Sequence, residues 1–81
     1  MNVPVRLFAV ARQLAGCDRV ELDLPDGATV ADLRRRLGER APELAGLIAQ
    51  MSIAVGTQYA DDKDVIPPDT DVACIPPVSG G

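Results

Sequence analysis

The 81-residue sequence has no histidine and no tryptophan, and its only aromatic side chains are Phe8 and Tyr59. Without imidazole there is no His-ligated metal site, no Ser-His or Cys-His nucleophile pair and no histidine base. Two isolated aromatics exclude the stacking platform on which single-stranded nucleic acid is bound. The two cysteines, Cys17 and Cys74, are too few for a cysteine-ligated zinc or iron–sulfur centre within one chain. They are also too few for a disulfide framework; a single bridge stays open, and two reduced thiols in a cytoplasmic protein is the simpler reading. The formal net charge of −4 has the wrong sign for coating a phosphate backbone, so no nucleic-acid partner is expected. No apolar run reaches the roughly 18 residues of a membrane span, and Met1-Asn2-Val3-Pro4 lacks the charged-then-apolar order of a signal peptide. The expectation is a cytoplasmic protein that binds no metal or cofactor itself and acts through partners.

What is present is the composition of a folded domain: 47% hydrophobic and 25% charged residues. At roughly 100–200 residues per domain there is room for one core and no more. A domain this small buries only about 60% of its unfolded-chain surface and has little volume to spare for a deep pocket.

Val3, Val5, Leu7 and Ala9 alternate with Pro4, Arg6, Phe8 and Val10. Period two predicts a strand whose odd positions face the core and whose even positions, Phe8 among them, face away. Ala11 to Ala15 reads as a helical turn closed by Gly16. Val20, Leu22 and Leu24 alternate with Glu21 and Asp23, predicting a second half-buried strand, and Pro25-Asp26-Gly27 then turns the chain. Thr29-Val30-Ala31-Asp32 has the form of a helix start, and Val30, Leu33 and Leu37 follow at helical spacing. Arg34, Arg35 and Arg36 diverge by about 100° each on that helix, so they form solvated faces and not one anion site.

Gly38 and Pro42 are expected to interrupt this helix, with Leu44, Leu47 and Ile48 marking a short second one. Met51, Ile53 and Val55 predict a third strand, Gly56-Thr57 a turn, Gln58-Tyr59-Ala60 a short return strand and Val72-Ala73-Cys74-Ile75 a last apolar strand. Asp61-Asp62-Lys63-Asp64 lacks the glycine and terminal glutamate of a calcium loop and reads as solvated loop. This order argues for an α+β domain over 1–75, a mixed sheet of four to five strands with helix packed on one face. Phe8 and Ile75 then share the open face, where an interface patch is the better interpretation.

The sequence ends in Pro76-Pro77-Val78-Ser79-Gly80-Gly81. Paired prolines forbid helix and hold the chain extended. Six extended residues reach roughly 20 Å. Gly80 and Gly81 carry no side chain and can enter a passage too narrow for other residues. A stiff stem with a bare tip suits delivery of a backbone carboxylate into another protein, and 76–81 is read as an extended tail.

This ending resembles the C-terminus of the small, sulfur-carrying subunits of molybdopterin synthase. Val5-Arg6-Leu7-Phe8-Ala9, the Ala11–Gly16 turn, Leu24-Pro25-Asp26-Gly27-Ala28-Thr29-Val30 and Ile53-Ala54-Val55 resemble that family as well, so the likeness spans nearly the whole chain. It implies the β-grasp, ubiquitin-like fold. It also implies a chemistry in which an adenylating enzyme of the ubiquitin-activating type joins the Gly81 carboxylate to AMP from ATP. A persulfide donor then supplies sulfur, and the resulting thiocarboxylate donates it to cyclic pyranopterin monophosphate inside the large subunit. The roles implied are Gly81 as sulfur-bearing terminus, Gly80 for clearance, and Pro76, Pro77, Val78 and Ser79 as the tail that the partner holds, with Phe8 and Ile75 as interface residues. The chain supplies no general acid or base. Family members often carry an aromatic at the position of Cys74, where strand alternation predicts a small core residue and a sulfur-relay role is the alternative. Three rivals stand beside this one: a carrier for thiamine, cysteine or another thiolated product; a protein modifier joined through Gly81; and an interaction domain with an inert tail. Lys63, the only lysine, argues against chains built on the protein itself.

Overall fold

The fold is described from a computed structural model over residues 1–77. Alternation produces the strands where it was expected. In β1 (Asn2–Leu7) and β2 (Arg19–Asp23) every second residue is buried, and the two strands pair antiparallel. β1 stops at Leu7, three residues before the alternating pattern ends at Val10. Phe8 is extended, but Ala9 takes a φ of 53°, which breaks the pleat and opens α1 (Ala9–Ala15) with Ala9 exposed. The helical turn therefore starts earlier than its sequence suggests. Gly16 ends it in the left-handed conformation, its N–H donating to the Arg12 carbonyl.

α2 (Val30–Arg40) is nucleated by the expected cap. The Asp32 N–H donates to the Thr29 hydroxyl and the Thr29 N–H to the Asp32 carboxylate, a reciprocal box. Val30, Leu33 and Leu37 are fully buried beneath the helix. Gly38 does not interrupt it. The helix runs on to Arg40, and Gly38 faces α3, where a Cβ would stand 3.4 Å from Ile48 Cδ1. The break falls at Ala41 and Pro42, where a 3₁₀ turn (Pro42–Leu44) leads into α3 (Ala45–Ile48).

β3 (Ser52–Val55), β4 (Gln58–Ala60) and β5 (Val72–Ile75) complete one five-stranded sheet in the order β2-β1-β5-β3-β4. β5 is inserted at the centre, parallel to β1 and antiparallel to β3. Among the described residues burial is confined to apolar side chains, gathered between one sheet face and the helices. Leu7, Cys74 and Ile53 form one row across that face, in register on adjacent strands.

The acidic loop is more tightly held than a solvated turn. The N–H groups of Val30 and Ala31, unpaired within their own helix, donate to the carbonyls of Asp64 and Asp62. Arg34 Nε lies 2.7 Å from Asp62 Oδ1, its Nη1 donates to the Ile48 carbonyl, and Ile66 is buried in the core. Arg35 and Arg36 pair separately with Asp32 and Glu39, so the three arginines diverge as expected.

Candidate functional site

The side chains left outside the core have their own order. The register of the five strands places Arg19, Arg6, Ala73, Ala54 and Tyr59 in one row from β2 to β4. Phe8, at the end of β1, and Ile75, two residues beyond Ala73, flank that row. All of these except Arg19 line a shallow groove of about 380 Å³. Its floor is low because Ala73 and Ala54 are small; its walls are apolar because Phe8 is 41% and Tyr59 72% exposed. An open groove of this kind suits a protein surface better than a small molecule, which needs an enclosing pocket.

The structure thus brings Phe8 and Ile75 together, as their strand parity requires. Pro76, read as the first tail residue, is buried and belongs to the body; Pro77 is exposed and is the last residue described. Val78, Ser79, Gly80 and Gly81 lie outside the described residues. Ala54, Tyr59 and Ala73 were not singled out from sequence. The alternation of β5 contained the signal for Ala73, but nothing local in the chain says that Tyr59 aligns with it.

Cys74 is fully buried between Leu7 and Ile53, and burial pushes its thiol up to about 12, with nearby Arg34 a weaker opposing influence. A thiol held in its protonated form is a poor nucleophile, and Cys74 packs as the small core residue that strand alternation predicts. Cys17 is exposed and both thiols are free, which closes the single-bridge alternative. Among the described residues no group of three or more metal-ligating side chains converges, and no helix is long and apolar enough to cross a membrane.

A central β5 parallel to β1, two flanking antiparallel pairs and one covering helical layer define the β-grasp fold of ubiquitin-like proteins. SAMP1 from Haloferax volcanii shares it, with a TM-score of 0.88 at 25% identity over 100% of both chains. Residues 5–81 match the ThiS family, and the chain belongs to it. The molybdopterin synthase sulfur carrier subunit of Arabidopsis thaliana is 31% identical over 81 residues, covering 100% of this chain and 84% of the relative. The protein of that name from Dictyostelium discoideum is 35% identical over 80 residues, covering 95% and 93%.

Proposed function

We propose that this protein is a cytoplasmic sulfur carrier, the small subunit of a molybdopterin synthase, and that its reactive atom sits at the Gly81 carboxyl group. The observation that carries this reading is likeness over essentially the whole chain to proteins named for that role. The fold supports it: the strand that leads into the tail, β5, lies at the centre of the sheet, and Pro76 is buried where the body ends. The open groove beside it offers Phe8 and Ile75 to the large subunit.

The chemistry assigned to the terminus follows from the inertness of a carboxylate. An adenylating partner attacks the α-phosphate of ATP with the Gly81 carboxylate, releasing pyrophosphate and forming an acyl-adenylate. The terminal sulfur of a donor persulfide displaces AMP. A second thiol of the donor then breaks the S–S bond, leaving a disulfide on the donor and a thiocarboxylate on Gly81. Gly80 and Gly81 let this terminus pass a narrow channel. Within the large subunit the sulfur is transferred to cyclic pyranopterin monophosphate. This chain contributes position and a nucleophile, and ATP serves the partner.

The test is the intact mass of the untagged protein from its own host, with the C-terminal peptide resolved. The expected result is one oxygen replaced by sulfur at Gly81, and deletion of Gly81 abolishing sulfur transfer without altering thermal stability. An unmodified terminus while molybdoenzymes are active overturns the assignment. A host lysine joined to Gly81 makes the protein a modifier instead.

A further inference from the structure

Four of the seven arginines have no carboxylate partner among the described residues; one, Arg40, ends α2, and the other three gather in one place. Arg34, Arg35 and Arg36 each have a carboxylate partner within 3.3 Å. Arg6, Arg12 and Arg19 are exposed and have none among the described residues. These three converge from β1, α1 and β2 on one concave site of about 370 Å³, with Phe8 in its wall. Arg6 and Arg19 are directly opposite each other in the antiparallel register, a placement that destabilises a sheet when the charges are alike. The fold holds them there. The Leu7 N–H donates to the Asp18 carbonyl and closes the strand pair just beyond them, and the Arg6 guanidinium lies 5.8 Å from the centre of the Phe8 ring. An acidic protein has carboxylates in excess, yet this corner gathers unpaired positive charge.

We infer that Arg6, Arg12 and Arg19 form a docking site for an acidic segment of a protein partner, one that presents carboxylates next to an apolar side chain. Charge complementarity selects the carboxylates, and Phe8 receives the apolar group. The site is continuous with the open-face groove, which shares Arg6, Phe8 and Asp71 with it. Asp18 and Asp71 line the same concavity and disfavour a dense polyanion such as a polyphosphate, while single carboxylates can alternate with them. Such a site steers encounter and orients the partner over the open face, and its contribution falls as salt rises. The inference is independent of which cargo Gly81 carries.

The test uses the full chain alone. The isotopically labelled protein is titrated with a blocked Glu-Glu-Leu-Glu-Glu peptide at low salt, following side-chain Nε–H signals of the arginines by NMR. Saturable shifts are expected at Arg6, Arg12 and Arg19 and at the Phe8 ring, with about fivefold weaker binding in the Arg6→Gln/Arg19→Gln double variant and none lost in Arg35→Gln. The double variant is expected to melt no lower than the parent, because it removes two facing charges. Three results overturn the inference. The first is no saturable shift at the three arginines. The second is equal binding by the double variant. The third is stronger binding of inorganic tripolyphosphate than of the peptide at the same signals, which makes the site a phosphate site.

Discussion

The two faces of the one sheet are built from the same strands and serve opposite ends. On the covered face, Val3, Val5, Leu7, Val20, Leu22, Ile53, Val72 and Cys74 are almost wholly excluded from water by α2 and its neighbours. On the open face, Arg6, Phe8, Ala54, Tyr59, Ala73 and Ile75 are half-buried or exposed. Adjacent residues in β5 fall on different sides: Cys74 is sealed, and Ala73 and Ile75 line the groove. What separates stability from recognition in this protein is the parity of a residue in its strand, not its region of the chain. A domain with so little interior leaves little room for an internal site, which fits the proposal that its chemistry lies at Gly81 and its recognition on the uncovered face.

The comparison can be broken most sharply through the two thiols. Burial that raises Cys74 to about 12 leaves on the order of 10³-fold less thiolate at neutral pH than an ordinary cysteine, and access requires opening of the core. Labelling with a thiol reagent should therefore count one group, Cys17, in the native protein and two in denaturant. Rapid native labelling of both would show that the covered face is not sealed.

Core truncation is the next largest effect. Leu33→Ala removes a fully buried side chain from the helix–sheet interface and should cost about 2–5 kcal/mol in denaturant unfolding. Phe8→Ala, on the other face, should change stability by less than about 0.5–1 kcal/mol while weakening partner binding. Equal losses from the two would erase the distinction between the faces.

A smaller effect than core truncation lies at the helix cap that seats the covered face. Thr29→Ala should cost about 1 kcal/mol. Hydrogen bonding from the Thr29 backbone, then from its side chain, holds the Asp32 carboxyl below its ordinary 3.8, with Arg35 assisting and partial burial opposing. A depressed carboxyl stabilises the native state above its unfolded value and loses that contribution as pH falls through the lower, folded one. Asp32→Asn should flatten the acid limb of the stability curve in that window, below about pH 4, and leave the profile near neutrality parallel to the parent's.

Much of this was legible from local pattern. The capping box at Thr29, the left-handed stop at Gly16 and the outward parity of Phe8 and Ile75 depend only on neighbouring residues, and each stands where the pattern placed it. The failures were also local. Alternation carried β1 past Leu7 because a period-two pattern is blind to the positive φ at Ala9. Gly38 reads as a breaker in isolation, but it lies inside a helix whose buried face, Val30, Leu33 and Leu37, holds it against the sheet. Pro76 reads as linker by composition and is instead covered by the body.

By itself, the sequence determined which residues face inward along each strand, where the long helix begins, and the absence of any histidine-based chemistry, because these depend on periodicity, capping and composition within a few residues. Only the tertiary structure decided that β5 enters between β1 and β3, that Ala73 lies between Arg6 and Ala54, that Arg6 is opposite Arg19, and that Arg34 and Ile66 anchor the acidic loop. Those are relations between segments far apart in the chain, and their register is chosen by burying the whole apolar set at once.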